Sequence, residues 1–182
     1  MKKSKVGQVW IETVLYTLIG LSLIGIILAI VLPKISEAKD RIVIEQTMES
    51  LNVLDEKIND VIDRGPGNVR IIPEFKIKRG SLYIDGLNDK IVFKLDELKK
   101  PYSEPNVQVQ SGKFKVFSEE KKKGDNNLTI TLEYSGKIDL AYETSNKEKK
   151  LSAAGIPYKL SIENLGVSNS LLQINIEEIS RG

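Results

Sequence analysis

The hydrophobic pattern changes character twice along the chain. From Thr13 to Leu32 it is almost unbroken, with only Thr13, Thr17 and Ser22 as plainly polar positions and no ionisable side chain except the phenol of Tyr16. A helix of ~20 such residues rises ~30 Å, the thickness of a bilayer core. After Pro33 the pattern becomes periodic. Ile35, Ala38, Ile42, Ile44, Met48, Leu51, Leu54, Ile58 and Val61 recur at steps of three or four, with Lys39, Glu45, Glu49, Asn52 and Glu56 between them. This predicts an amphipathic helix with one apolar stripe. Arg64-Gly65-Pro66-Gly67 supplies a stop, with glycine for a left-handed cap and proline to bar continuation.

From Val69 the period becomes two. Phe75–Lys78, Ile91–Leu95, Val107–Val109, Phe114–Val116, Leu128–Leu132, Tyr158–Ile162 and Leu172–Ile176 alternate apolar and polar residues. They read as half-buried strands. Turn signals separate them at Arg79-Gly80-Ser81, Asp85-Gly86, Ser111-Gly112, Lys123-Gly124-Asp125-Asn126 and Ser135-Gly136. The fold class expected is α+β: a long N-terminal transmembrane or filament-core α-helix, then an antiparallel, β-rich, sandwich-like domain. The two helical halves together make roughly 55 residues, about 80 Å if continuous.

Details within the apolar run refine this picture. Gly20, Gly25 and Ala29 are small, and Gly25-x-x-x-Ala29 places two small residues on one face where helix backbones can approach closely. Pro33 has no N–H to offer the carbonyl of Ala29, which predicts a kink or local melting there. Glu37 and Arg41 have the spacing of an i,i+4 ion pair.

Charge enters most sharply at the N-terminus. Lys2, Lys3 and Lys5 precede Gly7, then Gln8, and Glu12 is the one carboxylate before the apolar run. An acid at the mouth of such a segment is costly and is usually functional. This arrangement resembles the class III signal peptide of type IV pilin-like proteins, the archaeal type in particular, and the resemblance covers roughly residues 2 to 62. It implies hydrolysis between Gly7 and Gln8 by a prepilin peptidase on the cytoplasmic face. Glu12 then becomes the fifth residue of the mature chain. Trp10 departs from the pattern, because many members carry a small residue there.

The resemblance implies an organisation: a leader over 1–7, a transmembrane and assembly helix over 8–33, its amphipathic continuation over 34–64, and an extracellular β-rich domain over 65–182. It implies a cytoplasmic-membrane protein, single-pass with its N-terminus inside, that enters a cell-surface filament. The implied partners are further copies of the chain, the peptidase, an assembly ATPase and a membrane platform protein. In assembly, Glu12 would meet the α-ammonium of Gln8 on a neighbouring subunit. The competing reading is a non-polymerising, membrane-anchored β domain that binds an extracellular partner.

Composition narrows the chemistry. The chain has 182 residues, with 27 basic and 25 acidic side chains, no histidine and no cysteine. The commonest general base, the commonest metal ligand and all thiol chemistry are therefore missing. Losing the three leader lysines would leave a net charge of about −1, which offers no field for nucleic acid. No catalytic residue, metal site or cofactor is assigned, and the expectation is a structural protein, not an enzyme. Glu119 to Asp125 and Asn146 to Lys150 read as solvated hairpin tips. Asn127-Leu128-Thr129 is an N-glycosylation sequon, with Asn127 as the candidate acceptor. The carboxylates of Asp85-Gly86-Leu87-Asn88-Asp89 fit a tight turn better than a calcium loop.

Overall fold

The computed structural model describes residues 5–122, 125–168 and 170–179. Helix α1 spans Lys5–Arg64 and is followed by ten strands among the described residues. The chain forms two compact units that divide between Lys39 and Asp40.

The first unit is helical. The helix runs through Pro33 without interruption, so the local melting expected there does not occur. A missing N–H costs one backbone bond, and the bonds on either side hold the turn. The hydroxyls of this segment fold back onto the helix. Thr13 donates to the Val9 carbonyl at 2.9 Å, Thr17 to Thr13 at 2.8 Å, Ser22 to Leu18 at 2.8 Å and Ser36 to Leu32 at 3.2 Å. Each of these four hydroxyls is thus satisfied without water.

The second unit holds the rest of α1 and all the strands. One sheet has the order β1 (Val69–Phe75), β9 (Tyr158–Ser168), β10 (Leu171–Glu178), β7 (Ile138–Tyr142). Its β10–β7 pair is parallel and the others are antiparallel. The other sheet is antiparallel throughout, in the order β4 (Gln108–Ser111), β5 (Phe114–Lys122), β6 (Asp125–Glu133), β3 (Lys90–Leu98), β2 (Ser81–Asp85), β8 (Lys149–Ser152). Ile44, Leu51, Leu54, Ile58 and Val61 of the helix share one apolar core with Leu160, Ile162, Ile174 and Ile176 of the first sheet and Phe93, Leu128 and Ile130 of the second. The α+β expectation therefore holds, with one parallel pair in an otherwise antiparallel arrangement.

Several local expectations shift. The first strand begins at Val69 and ends at Phe75, so Lys76–Lys78 lies outside it, although Ile77 is buried. Strands β2, β7 and β8 fill stretches read as turns, or left unread, between the stronger alternations. The charged segment Glu119–Asp125 is the end of β5 and the start of β6, with positions 123 and 124 outside the described residues. Lys149 and Lys150 belong to β8, not to a hairpin tip. On the helix, Ile42 is 51% exposed, and the buried stripe begins at Asp40 and Ile44. Arg41, expected to pair back to Glu37, donates its Nε–H to Glu45 at 2.9 Å.

The end of the helix is tightly built. Gly65 takes φ 86°, which an L side chain rarely adopts, and its N–H reaches the Ile62 carbonyl at 3.2 Å. Asn164, fully buried in β9, donates through Nδ2 to the Val61 carbonyl at 2.8 Å. Its own carbonyl accepts from Gly67 at 2.7 Å. Of the last turn's orphan carbonyls, that of Val61 is thus capped from the sheet, and those of Ile62 and Arg64 by Gly65 N and Asn68 Nδ2 in the turn that follows. Asn164 faces a β-bulge, where Leu165 is the extra residue between the register pairs of β9 and β10.

Candidate assembly helix

The exposed part of α1 carries the residues singled out at the N-terminus. From Val9 to Leu32 every side chain is exposed, including Trp10 at 74%. The helix is long and apolar enough to cross a membrane by length and composition. None of its most apolar stretch is buried. The core helix of a soluble protein would bury such a stripe; this one leaves it open on all sides of the first unit.

Successive residues turn by ~100° around a helix, so faces can be assigned from position. Glu12, Tyr16, Ile19 and Leu23 fall along one side, with Glu12 exposed. Ser22, Gly25, Ala29 and Ser36 form a second, small-residue line. Gly20 does not join it. It lies across the helix from Gly25 and Ala29, on a line with Thr13 and Thr17. At Gly20 and Gly25 a Cβ would meet nothing within 4 Å. The helix therefore offers two small-residue approaches on opposed faces, where the sequence pattern had suggested one. Gly7 and Gln8 lie in the first turns of α1, with side chains outside the described set.

The other half of α1 is held by acids that sequence reading passed over. The Asp55 carboxylate is buried and accepts from Tyr134 Oη at 2.6 Å, from Lys113 Nζ at 2.6 Å and from Asn59 Nδ2 at 3.1 Å. Burial first, and then the Asp55 carboxylate, push the Tyr134 phenol well above its ordinary value. Asp40, also buried, accepts from the Arg79 guanidinium and from the Lys99 N–H at 3.1 Å. Asp60 is bonded by Arg64 and by Arg70, which hold its carboxyl below the usual range. The available signal was an aspartate standing on the apolar stripe: Asp40 and Asp55 share the face of Ile44, Leu51 and Ile58.

The remaining candidates fall in the β domain. Asn127 sits in β6, opposite Glu119, half-exposed on the face turned away from the core. Asp85 caps its own turn, accepting from Leu87 N and Asn88 N at 3.2 Å and from Asn88 Nδ2 at 2.8 Å. Asp89 Oδ1 accepts from Leu140 N at 2.9 Å. Gly86 packs where a Cβ would collide with the Leu140 carbonyl. That loop's carboxylates are thus engaged in shaping the chain. Among the described residues no group of three or more Asp or Glu is placed to hold a metal ion. Comparison with family models, with curated proteins and with solved structures finds no match.

Proposed function

We propose that this chain is a structural, pilin-like subunit of a type IV pilus-like surface filament of the archaeal type, polymerised through the exposed half of α1. The observation that carries the reading is the split in that helix. Its distal half forms part of the core of a β domain, whereas residues 9–32 bury nothing and present an almost wholly apolar surface. Such a surface needs lipid or other helices around it. The leader pattern Lys2, Lys3, Lys5, Gly7, Gln8, Glu12 selects processing and assembly as the fate of that surface. The two opposed small-residue lines suit a bundle, in which each helix is approached from more than one side.

In this reading a prepilin peptidase cuts after Gly7 while the apolar segment sits in the membrane, N-terminus inside. The new α-ammonium of Gln8 pairs with the Glu12 carboxylate of the adjacent copy. One stagger satisfies both charges, which sets the axial register. An assembly ATPase and a platform protein supply the work, and the β domains face outward and make surface contacts such as adhesion.

A second reading is a membrane-anchored β domain that does not polymerise, since one apolar helix of bilayer length suffices for that. Glu12→Gln separates the two. The filament reading expects processed subunits to accumulate in the membrane with few filaments. An unpaired ammonium in a dry core costs about 3–5 kcal/mol. Filament yield equal to wild type would remove the charge-pairing step.

A further inference from the structure

The six-stranded sheet turns one face to the core and the other outward. On the outward face, register places Lys150 beside Tyr83, Tyr83 beside Val92, and Val92 beside Thr131. Val92 is only 8% exposed despite pointing away from the core, because its neighbours wall it in. Tyr83, Val92 and Thr131, with Lys94 and Thr129 beside them, line a solvent-open cavity of about 280 Å³ with Val92 as floor, and Lys150 lies just outside that lining.

The charges around this cavity are unevenly matched. Lys90 pairs with Asp85 at 3.5 Å and Lys115 pairs with Glu133. Among the described residues Lys94 and Lys150 make no ion pair. Their ammonium groups rest over the Tyr83 ring instead, at 4.9 Å and 5.7 Å from its centroid. Such contacts are weak at a wetted surface, so both cations can swing onto a better partner.

We propose that this cavity binds a single acidic sugar unit. A sugar has an apolar C–H face for Tyr83 and Val92, and hydroxyl edges for Thr129, Thr131 and the Glu133 and Glu148 carboxylates that line one end. A carboxylate on that sugar completes Lys94 on the lining, with Lys150 held over the same Tyr83 ring just outside it. The volume falls just below the range for drug-sized small-molecule sites, about 300–1,000 Å³, which fits one ring of a glycan and no more. A bare inorganic anion would leave the apolar floor and the carboxylates without purpose. A nucleotide phosphate would need backbone N–H donors, and in this sheet they are committed to the strand ladder. The site belongs to the β domain and does not depend on polymerisation.

The test uses the full chain in detergent micelles, titrated with digalacturonate, sialyllactose and neutral lactose, with binding followed by amide NMR shifts. The acidic sugars are expected to shift outward positions of β2, β3 and β6, with lactose about tenfold weaker or worse. Lys94→Glu and Tyr83→Ala are each expected to weaken acidic-sugar binding by about tenfold, with unchanged circular dichroism. Added salt should weaken it further. Failure of both acidic sugars to bind, equal binding of lactose, or undiminished binding by Lys94→Glu would overturn the proposal.

Discussion

Residues 9–32 and 40–64 belong to the same helix and have opposite relations to the chain around them. The first stretch has long apolar side chains on nearly every face and covers none of them. The second has one apolar stripe, and all of Leu51, Leu54, Ile58 and Val61 are fully enclosed. Its polar anchors are specific: Asp40 to Arg79, Asp55 to Tyr134 and Lys113, the Val61 carbonyl to Asn164. In the first stretch the hydroxyls of Thr13, Thr17 and Ser22 bond back to the carbonyls of the same helix. Helical geometry is common to both, so it cannot be what distinguishes them. The difference lies in where each segment's hydrophobic free energy is realised: within the domain for one and, under the proposed function, in lipid or among neighbouring helices for the other.

That contrast can be broken by paired substitutions. Leu54→Ala removes a fully enclosed side chain and is expected to destabilise the β domain by about 2–5 kcal/mol, the cost of a core cavity. Leu21→Ala, on an exposed apolar position, should leave the domain's unfolding midpoint unchanged. Chemical denaturation of both variants in the same detergent, followed through tyrosine and near-ultraviolet signals, checks the pair. Equal effects would mean that the two halves are not distinct.

Asp55→Ala comes next. It strips a partner from Tyr134 Oη and from Lys113 Nζ, and Tyr134 is deeply buried. The expected loss is about 1–3 kcal/mol, because Lys113 is partly solvated and can turn to water. Tyr134→Phe on that background should cost little more, since the two residues act as one unit.

Alkaline titration probes the same junction more gently. The Tyr134 phenol ionises in the unfolded chain near ~10 and well above that when folded. A raised folded-state value means that its stabilising contribution is complete below that unfolded value. It is lost progressively as pH rises from there through the folded value. The domain should therefore weaken above pH ~10, and Tyr134→Phe should flatten that part of the profile. A Tyr134→Phe profile identical to wild type would contradict the assignment. Gly65→Ala is the smallest of these perturbations: its left-handed φ should cost about 1 kcal/mol and fray the last turn before Pro66.

Much of this contrast is legible in the sequence, for reasons that differ by region. An unbroken apolar run and a Gly-Pro-Gly stop are local signals, so the helix and its end at Arg64 could be placed, whereas its described start at Lys5 lies within the segment expected as leader. Strict alternation marks β6, β9 and β10, where Leu128, Ile130 and Leu132, or Ile174 and Ile176, point inward. Strands β2, β7 and β8 are short and flanked by glycine or charge, and they are defined by their pairing more than by composition. The parallel match of β10 with β7 joins Ile174 to Leu140, a non-local pairing that no local pattern announces. Ile42 illustrates a limit of stripe counting: it keeps the spacing to Ala38 yet drifts off the buried face by the time Ile44 enters. Asp40 and Asp55 were hidden by the habit of assigning acids to the wet side. The Tyr83 cavity needs the register of four strands before its residues come together.

The N-terminus of the chain recovered from its native cell envelope tests the filament reading most directly. Intact mass with peptide sequencing should place the first residue at Gln8, with residues 1–7 gone and Glu12 at the fifth position. A chain that retains Lys2 to Gly7, in cells with active prepilin processing, would contradict it and leave the exposed half of α1 as a plain membrane anchor.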